Sequence, residues 1–308
     1  MEEIGNFHIA ACRTQKGKKE IPKVLERKIK YFYDEEEAFA WKPNLMIVSN
    51  PTSLHLEYLL KAIDYNIDAF IEKPVVSSYK EIKKVADKIK GRKNEIYVGF
   101  NLRFHPLVRE VSKIIRSNRY GRVLKADLYV GEYLPSWHPY EDYRVSYAAK
   151  KELGGGVLRT LSHEIDLGQY WFGEYHKVFS RISKISSLDI DVDDNTDIIA
   201  EMKNGTLLRI NMDYLNPVLD RKGRIFFERG LLDYNFTNMA VTFTDYENKE
   251  ELLLKIDNYD SNTEYRCQME EFVNKCNGEI CTLEEGINVI RIIDICEESS
   301  QKERMLRV

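Results

Sequence analysis

Two rhythms of apolar and polar residues divide the chain. Between Glu20 and Phe100, short apolar runs alternate with stretches of helical spacing. "IKYFY" (Ile29–Tyr33), "LMIVSN" (Leu45–Asn50), "DAFIEKP" (Asp68–Pro74) and "EIYVGF" (Glu95–Phe100) are the strand-like runs. "PTSLHLEYLLKAIDYN" carries Leu54, Tyr58, Leu59 and Ala62 at helical spacing, and "SSYKEIKKVADKIKG" opens on a serine cap and closes on Gly91. Strands alternating with helices predict a parallel, doubly wound sheet, and the near-continuous apolar runs fit strands covered on both faces. An earlier run, "FHIAACRT" (Phe7–Thr14), reads as the second strand of such a fold.

Beyond a linking helix over Pro106–Ser117 the rhythm lengthens. "VLKADLYVGEYL", "VFSRISKISSLDI", "DIIAEMKNGTLLRINMDYL", "GRIFFERGLLDYNF" and "AVTFTDY" predict long strands joined by Gly or Asn-Gly turns. Such strands form an open, mostly antiparallel sheet with one solvated face. Three helices accompany it: "SHEIDLGQYWFG", "NTEYRCQMEEFVNKCNG" and "TLEEGINVIRIIDICEESSQKE". The expected organisation is a nucleotide-binding domain over residues 1–103 and an α+β domain for substrate and oligomer contacts over 104–308.

Composition changes this picture little but excludes several classes. The 308 residues are 43% hydrophobic and 31% charged, as in soluble globular proteins. A formal net charge of −4 leaves no basic surplus for nucleic acid or an anionic membrane. Clusters such as "KGKKEIPK" are interleaved with acids and read as solvated faces. The five cysteines form no CxxC pair and have no histidine at zinc spacing, so reduced thiols and no metal are expected. No run of about 18 apolar residues appears, and the start lacks a signal-peptide pattern. A cytoplasmic protein is expected.

Three stretches carry candidate chemistry. "NPTSLH" (Asn50–His55) stands at the carboxyl end of a parallel strand, the edge where doubly wound sheets bind ligands; a plain strand–helix turn with proline at its start is the simpler reading. "EKP" (Glu72–Pro74) stands at a second such edge. An amine there can act as acid or base or polarise a hydroxyl, and Glu72 can steady it. Lys73–Pro74 is a candidate cis bond that would turn the lysine into the cleft. The third, "KELGGGVLRTLSHEIDLGQYWFG" (Lys151–Gly173), lets backbone approach closely at three glycines. It then sets His163 and Asp166 three apart on one helical face. A histidine there can exchange a proton near neutral pH.

In this order and spacing the stretches resemble the Gfo/Idh/MocA oxidoreductases, the group of glucose–fructose oxidoreductase and inositol dehydrogenase. "NPTSLH" resembles the family's "TPxxxH" element and "FIEKP" its hallmark. "VGFNLRFHP" resembles its strand and following "R-x-x-P", and "GGGVLRTLSHEID" its glycine–histidine element. "GEYLPSWHPYEDYRVSYAAKKELGGG" further resembles a branch found near bacterial surface-sugar and nonulosonic acid pathways. The resemblance implies hydride transfer between a sugar, nucleotide sugar or polyol and NAD or NADP. It gives Lys73 and His163 the catalytic roles, Lys73 bridging nicotinamide ribose and hydroxyl and His163 acting as general acid/base. It places Arg13, Thr14, Asn50, Pro51, Thr52, His55, Glu72, Asn101 and Arg103 at the cofactor. Trp137, His138, Tyr143, Arg144 and Asp166 fall to the substrate, with Asp166 able to orient His163. Arg13 and Lys16 lean toward the 2′-phosphate of NADP. A homodimer or homotetramer through the open sheet face is also implied.

Two departures stand against the pattern. The family often places an aspartate three or four residues before the histidine, where this chain has Thr160 and Arg159. There is also no G-x-G-x-x-G, whose helix amino terminus binds pyrophosphate. "MEEIGN" reads as the tail of a first helix, so a first strand and glycine loop are expected to be missing, through a late start or a lost beginning. Cofactor binding would then be impaired. The strands "FHIAAC" and "LMIVS" must pair directly or face each other across an open lane. A non-catalytic relative that binds a sugar ligand or a partner, and a lyase or epimerase using the same Lys/His pair, remain open beside the oxidoreductase.

Overall fold

A computed structural model describes residue 5 and residues 7–13, 29–138, 141–275 and 278–308. Thr14 and Lys16, the residues "MEEI" and Cys276 lie outside them.

Both expected layers form. The parallel part comes in two pieces. Strand β1 (Ala10–Cys12) pairs in parallel with β2 (Lys30–Phe32). Strands β3 (Leu45–Val48), β4 (Asp68–Ile71) and β5 (Ile96–Val98) form a second parallel ladder, in the order β5-β4-β3. The direct pairing that was one of two expected outcomes does not form: among the described residues β1 and β3 share no ladder. The central strand reflects its position, for Ala69, Phe70 and Ile71 are buried while Ile47 on the bordering β3 is 45% exposed. Helices follow β2, β3 and β4. His55–Asp64 packs Leu59 and Ala62 inward, and Ser78 with Glu81 closes a capping box before Tyr79–Lys84. The helix read through to Gly91 is interrupted at Val85, whose ψ of 15° leaves the helical range and begins Ala86–Lys90.

The linking helix Pro106–Ser117 starts on proline, with His105 Nδ1 accepting from the Leu107 N–H at 3.2 Å, and ends on left-handed Asn118. Beyond it lies a nine-stranded sheet. Its members are β6 (Val123–Gly131), β7 (Tyr175–Ser183), β8 (Asn195–Met202), β9 (Leu207–Asp213), β10 (Asp220–Phe227), β11 (Gly230–Asn235), β12 (Ala240–Asp245), β13 (Glu250–Lys255) and β15 (Leu306–Arg307). They run in the order β13-β12-β11-β10-β6-β9-β8-β7-β15. Only β6 and β9 pair in parallel.

Period-two alternation sorts this sheet's faces: Ile198, Ala200 and Met202 are buried, while Asp197 and Ile199 are exposed. The helices His163–Phe172 and Leu283–Lys302 pack on the inner side, and the outer face carries an open groove of about 580 Å³. A last short strand, β14 (Cys281–Thr282), joins β5 antiparallel and ties the carboxyl-terminal segment to the parallel sheet. Cys12, Cys267, Cys281 and Cys296 are free thiols. Among the described residues no cluster could hold a metal ion, and no helix is long and apolar enough to cross a membrane.

Candidate active site

The carboxyl edge of β4 meets two short turns of the larger layer. Lys73 stands two residues past the end of β4, and its peptide bond to Pro74 is cis. Its Nζ donates to the backbone oxygen of Thr160 at 2.7 Å, at the end of the short helix Val157–Thr160. Three residues on, His163 opens the helix His163–Phe172, with its ring edge-on to Phe100 beyond β5, 5.6 Å between centroids and 86° between planes. Glycine makes this approach feasible. A Cβ on Gly155 would sit 2.3 Å from the Tyr147 carbonyl oxygen, and Gly156 holds a φ of 104°.

Electrostatics favour the uncharged forms of both side chains. Burial pulls the Lys73 ammonium down to about 8; Arg221 adds to this, while Glu72 and Glu164 oppose it. Burial, then the charges of Lys73 and Arg221, hold the His163 imidazole well below its ordinary value. His163 Nδ1 is buried without a hydrogen-bond partner. Glu72 is pushed upward by burial, with Lys73 countering. An amine whose proton is held less tightly than usual thus stands beside an imidazole kept in its neutral form.

The sequence reading missed the charges beneath this pair. Arg221 Nε donates to Glu164 Oε1 at 2.7 Å, with the carboxylate fully buried and its second oxygen unpartnered. Burial raises Glu264, on the helix Asn262–Asn274, to about 7, with Arg221 and the Tyr259 hydroxyl opposing. Glu132, just past β6, is raised by burial with Arg221 and His138 opposing. A signal existed: Gly223, Ile225 and Phe227 face inward along β10, so Arg221 is a cation on the buried side of a strand.

Several expected ligand contacts are spent elsewhere. Arg103 and Asp166, assigned to cofactor and substrate, instead face each other inside the protein. Arg103 Nε and NH2 donate to Asp166 Oδ2 and Oδ1 at 2.8 and 2.7 Å, NH1 reaches Glu285 at 3.1 Å, and each of the pair is 1% exposed. The reason is competition, since a buried guanidinium captures the carboxylate that was to orient His163. His55, assigned to the cofactor, is buried, with Nδ1 2.8 Å from the Pro74 oxygen and Nε2 2.9 Å from that of Asn50. It clamps the two strand-end turns together. Arg144 is exposed and held by Asp142 at 2.7 Å, outside the cleft.

Other predicted residues stand at strand ends or around a small pocket. Asn50 is half-buried with an unpartnered, buried Oδ1, Pro51 is exposed, and Thr52 begins a single helical turn. Asn101 is buried at the turn after β5. The Arg13 N–H donates to Phe32 O at 3.0 Å, beside the end of β1. Trp137, His138 and Tyr143 share a small pocket with Tyr147, and Trp137 stands edge-on to Tyr214. Tyr147 faces Glu72 closely enough for the carboxylate to raise its hydroxyl, after burial.

Residues 5–100 match the profile described as an oxidoreductase family with an NAD-binding Rossmann fold, and residues 108–233 match that of the GFO/IDH/MocA C-terminal domain. The chain belongs to the Gfo/Idh/MocA oxidoreductase family. Among its relatives, a putative oxidoreductase YteT of Bacillus subtilis is 26% identical over 133 residues, which are 43% of this chain and 31% of that one. Oxidoreductase P35 of Formosa agariphila is 23% identical over 261 residues, 82% and 78% of the two chains. The chain thus aligns with under a third of the first relative's length and most of the second's. A levoglucosan dehydrogenase solved with NADH and L-sorbose superposes with a TM-score of 0.81 at 16% identity, covering 98% of this chain and 89% of that one, which establishes the shared fold.

Proposed function

We propose that the chain forms the reaction and substrate half of an NAD(P)-dependent oxidoreductase acting on a sugar or polyol. The observation that carries this reading is Lys73, an amine drawn down to about 8 at a strand's carboxyl edge, beside a neutral His163. Asn50, with its unpartnered oxygen, Thr52, Glu72 and Asn101 stand at the strand ends where a nicotinamide and its ribose fit. The fit covers that half only: the sequence contains no G-x-G-x-x-G for the pyrophosphate. When bound, the nicotinamide supplies the hydride acceptor or donor.

Oxidising a carbinol releases a hydroxyl proton as well as a hydride. Lys73 holds that hydroxyl, and His163 takes the proton on Nδ1 or Nε2; reduction runs the same path backwards. The free oxygen of Glu164 accepts from a sugar hydroxyl, and Trp137 and Tyr143 offer apolar faces to the ring. Surface-carbohydrate biosynthesis is the setting we favour, on the sequence likeness alone. A dimer or tetramer would use the open sheet face, where Ile199 and Leu207 are exposed.

Nicotinamide absorbance with a panel of hexoses, inositols and anhydrosugars tests the reaction. Turnover lost in both Lys73→Met and His163→Asn supports it; turnover unchanged in either refutes the assignment. The missing glycine motif favours a second reading, a sugar-binding relative without turnover. That reading requires sugar to bind while NADH fluorescence stays flat on titration.

A further inference from the structure

The short helix Val157–Thr160 offers two groups to two different parts of the molecule. Its last carbonyl, that of Thr160, accepts from Lys73 Nζ at 2.7 Å. The neighbouring side chain, Arg159, reaches the long carboxyl-terminal helix Leu283–Lys302. Arg159 Nε and NH2 donate to Glu297 Oε1 at 3.0 and 2.6 Å, and NH2 lies 3.5 Å from Asp294 Oδ1. Its third nitrogen, NH1, donates to the backbone oxygen of Ser77 at 2.6 Å, in the segment leaving Lys73. Asp294 Oδ2 then accepts from the Tyr79 N–H at 2.9 Å. One guanidinium therefore holds both sides of the Lys73–Thr160 contact, the lysine's segment through Ser77 and the acceptor through its own backbone. Both are pinned to a helix that is itself anchored on β7, where Ser299 and Ser300 accept from the N–H groups of Ser180 and Ile182.

We propose that Arg159 is a positioning residue, which fixes the Thr160 carbonyl against the Lys73 ammonium and so keeps the lysine in its working position and protonation balance. The proposal rests on the reading of Lys73 as a proton-handling group. The charges facing Lys73 are Glu72 and Glu164, which favour its ammonium, and Arg221, which opposes it, with His163 neutral beside them. Against these the Thr160 carbonyl is an acceptor that takes a stronger, charge-assisted hydrogen bond from the ammonium than from the neutral amine. Arg159 in turn faces Glu297, Asp294 and Asp193. Only a planar fork reaches Glu297 and Ser77 together, so a lysine there keeps one contact and loses the other.

Lys73 can be read without turnover. Brief acetylation of amines at a series of pH values, followed by peptide mass spectrometry, gives its midpoint relative to exposed lysines such as Lys203 in the same sample. In Arg159→Met the midpoint falls by about one pH unit, so that Lys73 reacts about tenfold faster on the acid side. Arg159→Lys restores part of the shift, and Glu297→Gln, which keeps a neutral partner of the same shape, gives a smaller fall. A folded Arg159→Met protein with an unchanged Lys73 midpoint overturns the proposal. Should that variant not fold, an unchanged midpoint in Glu297→Gln overturns it instead. A purely structural bolt would lower the melting temperature and leave the Lys73 midpoint where it was. Retained turnover in Lys73→Met would sink the catalytic reading of the lysine while leaving the labelling result to stand.

Discussion

Two arginine–carboxylate pairs hang from the same helix, His163–Phe172, and they behave differently. Asp166 meets Arg103 in a bidentate pair sealed in the core, with a third contact to Glu285 and the Tyr170 ring 4.7 Å from the guanidinium. Glu164, two residues earlier, meets Arg221 through one nitrogen and leaves its other oxygen unpartnered beside Lys73 and His163. Residues two apart on a helix point about 200° apart, so the two buried carboxylates face opposite sides and meet different arginines. A buried charge with its hydrogen bonds complete holds structure, while one with an unpartnered oxygen beside a perturbed amine is a candidate for ligand contact.

Substitutions can break or sharpen that contrast. The largest effect falls at the cleft: Lys73→Met or His163→Asn lowers kcat by roughly 10²–10⁴-fold with the unfolding midpoint nearly unchanged. Arg103→Met does the reverse, since it strands Asp166 in the core. A loss of about 3–5 kcal/mol, read from urea unfolding, is expected. Glu164→Gln is intermediate, removing a charged acceptor from the cleft and raising KM by about tenfold or more for the about 1.5–3 kcal/mol of such a hydrogen bond.

Histidine titration gives a smaller, graded effect of definite sign. Burial holds His105 down from 6.5 to about 3 and His163 well below its usual range, so both stay neutral in the folded protein. In the unfolded chain they protonate as pH falls through about 6.5. Stability is therefore lost as pH falls below about 6.5 and continues to drop toward the folded value of His105, by about 1.4 kcal/mol per pH unit for each histidine. His105→Gln should flatten that slope in denaturation at stepped pH. The smallest effect belongs to Arg144→Ala: its exposed pair with Asp142 predicts no measurable change in melting temperature or KM.

Much of this was legible in the chain. Alternation of short apolar runs with helical spacing marked the parallel strands, and period two marked the open sheet, because burial on one or both faces writes itself into sequence. Lys73 and His163 stood out by their local context at a strand end and after three glycines. The contacts that sequence did not announce share one cause. Arg103 and Asp166 are polar residues in good places, yet they pair across 63 residues, and His55 takes one of its two partners, Pro74, from the next strand end. Arg221 and Glu264 were missed for the same reason, their importance lying in what they face across the cleft.

From sequence alone the layers and the candidate strand ends with Lys73 and His163 could be read, since these follow from periodicity and from the backbone demands of glycine and proline. Whether β1 and β3 would pair stayed open, and among the described residues they share no ladder. Only tertiary structure decided which carboxylate answers which arginine, because that choice depends on side chains brought together from far along the chain and on the low dielectric that makes an unpaired charge costly. It also decided the lysine's partner: not an acid from its own neighbourhood, but the Thr160 carbonyl held in place from the far end of the chain through Arg159.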